Sequence, residues 1–161
     1  MGWKTKTKEK AKRLRVLFKT NGFGLVPRDL DGLAAAGVDS FWLDIKAYDE
    51  ETYRALCGTT NKWILKIPEW ILERGFVLEV LILYIPGIVE VDRIAKIARL
   101  NAELDERVPF TILAFFLEYK LLSARPPTLE EMLKAYSAVK EAGLEQMKLG
   151  NCSIFARTGS D

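Results

Sequence analysis

The sequence predicts an α/β protein in which a parallel sheet of about five strands is covered by helices. Strand-like and helix-like segments alternate along the 161 residues, as the crossovers of a parallel sheet require. The longest strand-like segments, 76–85 and 110–117, are almost continuously apolar, which is typical of strands that are buried on both faces. With 49% hydrophobic and 29% charged residues, the composition indicates one globular domain with a substantial core.

Turn residues and helix stops bound each predicted strand. The first strand follows a run of Lys and Arg and ends before the glycine-containing turn 21–24. Gly37 and Gly75 precede the second and third strands, and Pro86 follows the third. We therefore predict one strand that ends near 20 and four more at 38–45, 76–85, 110–117 and 146–149.

Capping residues and apolar spacing define the helices. Pro27 stands near the start of the first helix, and the acidic residues 49–51 suit the positive end of the second. Asn61 is a candidate cap for the third helix, in which Pro68 predicts a break or kink. Thr128, followed by acidic residues, marks the start of the last helix. The predicted helices cover 28–36, 49–57, 61–74, 91–105 and 128–143.

The two ends of the chain are expected to lie outside the folded unit. We predict a basic arm or helix at 1–15, the α/β unit at 16–155 and a flexible tail at 156–161. The basic stretch from Lys4 to Arg15 is a weak candidate for nucleic-acid binding, because a solvated helix face explains it better.

Composition excludes several kinds of site. The chain has no histidine, which rules out a Ser-His-Asp triad, a histidine-activated cysteine and histidine metal ligands. Its two cysteines, Cys57 and Cys152, cannot supply the four thiolates of a zinc or iron–sulfur site, and we expect both to be buried free thiols. No signal peptide is recognised, and the apolar run 76–86 is too short to cross a bilayer, so we expect a cytoplasmic location without membrane contact.

Polar residues gather where the predicted strands end, and parallel α/β sheets form their sites at that edge. Asp44 and Lys46 are two residues apart, so their side chains point to one face of a strand. Together they are suited to binding a zwitterion or orienting a cation, although an ordinary ion pair at the rim explains them as well. The remaining strand ends contribute residues 19–21, Tyr84, residues 118–120 and Asn151.

Several short motifs at these strand ends follow the order of a known family. They are Thr20-Asn21-Gly22-Phe23, Leu43-Asp44-Ile45-Lys46, Cys57-Gly58-Thr59-Thr60-Asn61 and Ile85-Pro86-Gly87, and then residues 115–119, 126–128 and 150–151. This order resembles the pyruvate formate-lyase activating enzymes of the radical S-adenosylmethionine (radical SAM) superfamily. The later motifs look most similar to AmmeMemoRadiSam-type proteins. The resemblance covers roughly residues 14–155.

The resemblance implies a partial (β/α) barrel at 16–155 with about five parallel strands. It also implies two cofactors, a [4Fe-4S] cluster on a Cys-x-x-x-Cys-x-x-Cys loop and S-adenosylmethionine. In this family the cluster reduces S-adenosylmethionine to a radical, and the radical takes hydrogen from a glycine of a partner enzyme. By position, Asp44 and Lys46 would bind S-adenosylmethionine near its methionine end, with Thr20 and Asn21 beside them. The resemblance assigns no catalytic residue and no metal ligand to the chain itself.

The chain also departs from the family pattern. Its sequence contains neither the cluster loop nor the family's Gly-Gly-Glu stretch. Lys19 stands where the activating enzymes carry an aspartate, Leu81 where relatives carry Arg or Thr, and Phe116 where they carry a histidine. Val89 and Glu90 replace an Asn-Asp pair.

These observations support two functions of different kinds. In the first, the chain is the C-terminal portion of a radical SAM protein that is not competent alone. Its partner is then a separate cluster-bearing polypeptide, or a second copy that associates through the open sheet edge. In the second, the chain is a degenerate, non-catalytic barrel that serves as a binding or assembly module.

Overall fold

The fold was analysed in a computed structural model that describes residues 14–118, 121 and 123–156. Five strands form one sheet, and every neighbouring pair is parallel. The strands lie in chain order, as in a (β/α) barrel that has not closed. They are β1 Leu17–Thr20, β2 Ser40–Asp44, β3 Val77–Tyr84, β4 Phe110–Ala114 and β5 Met147–Gly150.

Helices follow each of the first four strands, and a short one follows the fifth. A single 3-10 turn, Ile64–Lys66, precedes the third helix. Among the described helices, none is both long and apolar enough to cross a lipid bilayer. The helices are α1 Pro27–Ala35, α2 Glu50–Cys57, α3 Ile67–Glu73, α4 Val91–Leu104, α5 Leu129–Glu141 and α6 Ser153–Ala156.

One face of the sheet packs against the helices and forms the core. Phe41, Val80 and Ile112, from three neighbouring strands, are fully buried there. These residues belong to the same buried cluster as apolar helix residues such as Ile71 of α3 and Ile97 of α4. The core is thus formed between this face of the sheet and the layer of helices.

The opposite face of the sheet, here called the inner wall, carries polar side chains. The strand register places Asp44, Leu81, Thr111 and Lys148 side by side across four strands. Successive strand residues alternate between the two faces, so these side chains point away from the core layer. In a closed barrel they would line the interior.

Several predictions about elements are confirmed and some are wrong. The third predicted helix divides into the 3-10 turn and α3, and Pro68 lies in the first turn of α3, so the expected break occurs just before the proline. Asn61 does not cap it, because its side-chain amide is bound elsewhere. The fourth strand ends at Ala114 rather than 117, and α6 was not predicted. Most of the predicted basic arm, 1–13, and most of the predicted tail, 157–161, lie outside the described residues.

Candidate functional site

The loop after β1 is fixed by its own side chains. The backbone N–H of Gly22 donates to Thr20 Oγ1 at 3.0 Å, and that of Phe23 donates to Asn21 Oδ1 at 3.0 Å. Gly22 has a φ of 78°, and a Cβ at this position would lie 2.6 Å from Cδ1 of Ile67 in α3. Only glycine therefore allows the loop to rest on α3. The structure places Asn21 on the wall of a cleft with Tyr53 and Cys57, whereas Thr20 lines a separate depression with Phe18 and Arg28. The side-chain oxygens of Thr20 and Asn21 are both engaged in shaping the loop.

Asp44 and Lys46 form an ion pair at the carboxyl end of β2. Lys46 Nζ lies 2.5 Å from Asp44 Oδ2, and the two side chains are 33% and 24% exposed. Asp44 Oδ1 is buried and has no hydrogen-bond partner among the described residues. Asp44 therefore retains one acceptor oxygen without a donor, and the Lys46 ammonium group retains further N–H donors. The opposite charges of the two side chains already compensate each other.

Asn61 holds the loop that carries Lys46. Its side-chain amide donates to the carbonyl of Tyr48 at 2.6 Å and, more weakly, to that of Ala47 at 3.5 Å. Its backbone N–H donates to Glu50 Oε2 at 3.0 Å. Arg54 and this N–H together lower the pKa of Glu50, so the Glu50 carboxylate that accepts this hydrogen bond is ionised at neutral pH. The sequence indicated Asn61 as a helix cap, whereas its contacts join two loops that are distant in sequence.

A cleft of about 420 Å³ is lined in part by residues that lie near enough to the ion pair to interact with it electrostatically. Asn21, Phe23, Tyr53, Cys57 and residues 58–59 line it. Burial, with smaller contributions from Cys57 and Asp44, raises the pKa of Tyr53 to about 12. Burial also raises the pKa of Cys57, and nearby Lys46 opposes that shift. Tyr53 and Cys57 are therefore neutral at pH 7, which leaves Asp44 and Lys46 as the charged pair next to the cleft.

A second polar group lies on the inner wall. Thr111 Oγ1 donates to Glu79 Oε1 at 2.7 Å, and Lys148 Nζ lies 3.8 Å from the same oxygen. In the adjoining row, Lys19 Nζ lies 5.2 Å from the centre of the Trp42 ring. In the sequence, Glu79 stands out only as a charge within the apolar run 76–85, and nothing near it indicates a partner on another strand. Spacing of two along β3 and β4 would have placed both residues on the polar face.

The remaining strand ends are joined by local contacts. Asn151, at a φ of 60°, donates from its side-chain amide to the carbonyl of Ala114 at 3.1 Å, which connects the ends of β4 and β5. Tyr84 is buried at the end of β3, and its pKa is raised chiefly by that burial and then by Glu90 and Glu131. Residues 119 and 120, which were expected at the end of β4, lie outside the described residues.

The described residues do not form an iron–sulfur site. Both cysteines are free, and no group of three or more His, Cys, Asp or Glu in the described part of the chain is arranged to hold a metal ion. The expectation that both thiols are buried is wrong, because Cys57 is exposed at the end of α2 and Cys152 is partly exposed after β5. Short helices and loops at the carboxyl edge leave both positions accessible.

Comparison with known proteins identifies relatives of this chain. The sequence profile of the radical SAM superfamily matches residues 3–100. A curated protein of Methanocaldococcus jannaschii, named as a candidate glycyl-radical enzyme activating enzyme, is 32% identical over 143 residues. That alignment covers 86% of this chain and 52% of the relative, so the chain spans about half the length of the curated protein it matches.

Solved structures share the fold. A domain of pyruvate-formate lyase-activating enzyme from Bacteroides vulgatus superposes with a TM-score of 0.70 at 19% identity, over 86% of this chain and 82% of that one. A radical SAM methyltransferase from Sphaerobacter thermophilus gives a TM-score of 0.65 at 14% identity, over 83% of this chain and 39% of that one. At these identities the likeness is one of fold.

Proposed function

Because the chain belongs to the radical SAM superfamily, we propose that it forms the S-adenosylmethionine-binding part of a glycyl-radical enzyme activating enzyme. The iron–sulfur cluster of that enzyme would be held by polypeptide outside the 161 residues, and this chain would not be competent alone. The name of the curated relative and the ordered motifs at the strand ends support this assignment. We also propose a cytoplasmic site of action, with which two free cysteines are consistent.

The observation that carries the proposal is the unused acceptor of the Asp44–Lys46 pair. The methionine end of S-adenosylmethionine is a zwitterion, so its ammonium group needs an acceptor and its carboxylate needs a cation. Asp44 Oδ1 is a buried acceptor without a partner among the described residues, and Lys46 has further donors besides the one directed at Asp44. The donor set therefore fits this end of the molecule.

The chain's own contribution would be binding and orientation. Asp44 would accept from the ligand ammonium, and Lys46 would donate to its carboxylate while it compensates the charge of Asp44. Tyr53 is neutral at pH 7, as any tyrosine is, and burial raises its pKa further, so it would add no negative charge to the cleft. When bound, S-adenosylmethionine supplies the reactive group from which this family generates a hydrogen-abstracting radical.

The described residues do not fit the cluster. A [4Fe-4S] cluster takes cysteine thiolates, and Cys57 and Cys152 are separated by 94 intervening residues and lie at the ends of different elements. The raised pKa of Cys57 also disfavours the thiolate form that would bind iron. No step of the reaction is therefore assigned to a cluster held by these residues.

Calorimetry with S-adenosylmethionine tests the binding site. We expect the chain to bind it, and we expect Asp44→Asn and Lys46→Met each to weaken binding by about tenfold or more, since a hydrogen bond to a charged group contributes about 1.5–3 kcal/mol. Asp105→Asn is the matched control, because it removes the carboxylate of another ion pair, with Arg107 at 3.0 Å, in the loop before β4. Equal affinities of the wild type and the Asp44→Asn variant would contradict the assignment.

Anaerobic reconstitution with iron and sulfide tests whether the cluster is held by a polypeptide other than these 161 residues. We expect no visible iron–sulfur absorbance from the chain alone, and cluster formation with S-adenosylmethionine cleavage when a cluster-bearing partner polypeptide is added. A cluster that assembles on the isolated chain would refute the proposal that the ligands lie elsewhere.

A non-catalytic binding or assembly module is the second candidate, and the inner wall gives it specific support. Leu81 is 5% exposed and lies between Asp44 and Thr111, so an apolar side chain stands where the family resemblance implies Arg or Thr. Lys19 stands where the resemblance implies a cation-binding aspartate, and its Nζ lies 5.2 Å from the centre of the Trp42 ring. The same calorimetry separates the candidates, because a module without a functional site would not bind S-adenosylmethionine.

A further inference from the structure

The loop after β1 displays a phenylalanine to solvent on a rigid support. Phe23 is 65% exposed at the tip of the loop. Gly22 and Gly24 on either side have φ values of 78° and 75°, and Leu25 N–H closes the turn on the carbonyl of Gly22 at 3.1 Å. Together with the hydrogen bonds that Gly22 N–H and Phe23 N–H donate to Thr20 and Asn21, this turn fixes the direction of the loop at Phe23. An apolar side chain that is held in place but stays exposed after folding, next to other exposed apolar residues, is typical of a contact surface.

Trp63 lines a second cleft together with Phe23 and is also exposed, at 55%. Its ring stacks on Trp70 at 6.4 Å between centres, and Lys62 Nζ lies 5.0 Å from the centre of the Trp63 ring. A cleft of about 190 Å³ lies between the two aromatic residues, with Val26, itself 42% exposed, on its wall. A large aromatic ring held in place in this way loses little conformational entropy when a partner covers it.

Two cations flank the exposed apolar residues. Arg28 lines the shallow depression on the far side of Phe23, and Lys62 lies over Trp63. Both are exposed, and neither has a carboxylate partner among the residues that the structure describes. Phe23 also lines the cleft beside Asp44 and Lys46, so this surface continues into the candidate site.

We propose that this surface, the Phe23 face formed by Phe23, Val26, Arg28, Lys62 and Trp63, docks an acidic, apolar polypeptide segment of the protein on which the site acts. The inference rests on the proposed function for the identity of the partner. The exposed side chains and their charges determine its chemistry: an aromatic or aliphatic side chain enters the cleft between Phe23 and Trp63, and adjoining carboxylates meet Arg28 and Lys62.

A random displayed-peptide library selected against the chain is the probe. We expect enriched peptides to carry an aromatic or aliphatic residue next to Asp or Glu. A synthetic peptide of that consensus should bind about tenfold more weakly to Trp63→Ala and to Lys62→Glu, as hot-spot positions do, and more weakly as salt rises. Leu133→Ala is the matched control, since Leu133 is 51% exposed on α5, away from this surface.

Three outcomes would overturn the inference. They are the absence of a consensus, a basic consensus, and binding that survives both Trp63→Ala and Lys62→Glu. Sedimentation adds a fourth, because a dimer that Trp63→Ala dissolves would make the Phe23 face a contact between two copies. Trp63 does not line the cleft beside Asp44, so S-adenosylmethionine binding should be unchanged in Trp63→Ala. Loss of peptide binding with intact ligand binding therefore tests docking separately from the proposed function.

Discussion

Asn61 connects the two loops that frame the Asp44–Lys46 pair. It is 5% exposed, and its amide satisfies the carbonyl of Tyr48 in the loop that follows Lys46. Removing the amide leaves buried carbonyl groups without a donor, which is more unfavourable than the loss of one exposed hydrogen bond. The position of Lys46 therefore depends on a residue 15 positions later in the sequence.

We predict that Asn61→Ala lowers the free energy of unfolding by about 1–3 kcal/mol, because a buried polar group loses its partner. It should also weaken S-adenosylmethionine binding. Thr60→Ala is the control, since Thr60 is exposed and bonds the same Glu50 at 3.0 Å, and it should change stability little. Urea denaturation and calorimetry measure the two effects, and wild-type values for Asn61→Ala would disprove the role of Asn61.

Glu131 gives a pH-dependent prediction at the start of α5. Arg125 and the backbone N–H of Thr128 lower its pKa from 4.5 to about 2, and the Thr128 side chain accepts from the Glu131 N–H in a capping box. A lowered folded-state pKa stabilises the protein above the unfolded value, and this contribution is lost as pH falls from about 4.5 to about 2.

We therefore predict that Glu131→Gln lowers stability by about 1 kcal/mol at neutral pH, the usual contribution of a helix cap, and that its difference from wild type shrinks in acid. Urea denaturation over a range of pH checks this. Glu130→Gln, which removes an exposed charge on the same turn, is the control. A constant difference at every pH would show that the charge of Glu131 is not responsible.

At the scale of the elements, β4 and β5 are in tight contact at a glycine. A Cβ on Gly150 would lie 2.5 Å from Leu113 Cδ2, so the leucine side chain occupies the space above the end of β5. This contact fixes how the last strand sits beside its neighbour and, through Asn151, how their ends are joined. The sequence marks Gly150 only as a turn residue.

We predict that Gly150→Ala destabilises the protein by about 0.5–1.5 kcal/mol, because the added methyl group displaces the end of the Leu113 side chain from its rotamer. Gly32→Ala is the matched control: Gly32 lies in α1, and a Cβ there meets no atom within 4 Å. That change should stabilise the protein by about 0.5–1 kcal/mol, since alanine is the better helix residue. Thermal unfolding of both variants distinguishes the contact from a general effect of alanine.

At the scale of the whole molecule, the sheet has two edges. Among the described strands, β1 pairs only with β2. The backbone N–H and C=O groups on its outer side are therefore open to pairing with another strand. Leu17 on this edge is 45% exposed, and Val77, which lies in the same row across β2, is 58% exposed. Open edges with apolar side chains are sites of association. That a second copy or a cluster-bearing polypeptide occupies this edge remains a prediction.

We expect Leu17→Lys to weaken association at the β1 edge, because a charge there opposes strand pairing. Sedimentation as a function of concentration measures it, with Leu129→Lys as the control, since Leu129 is similarly exposed on α5. If the wild-type chain stays monomeric and binds no cluster-bearing partner, the β1 edge is not an interface.

The sequence by itself determined the order of the strands and most of the helices. Apolar runs, glycines and capping residues act over a few neighbours, and such local preferences persist in the fold. The pairing of Asp44 with Lys46 was also accessible, because residues two apart on a strand share a face. Only the tertiary structure decided that Asn61 braces their loop, that Glu79 and Thr111 meet on the inner wall, and that Phe23 and Trp63 face one cleft. These contacts join residues 13 to 40 positions apart, and the register of strands and loops that creates them depends on packing of the whole sheet.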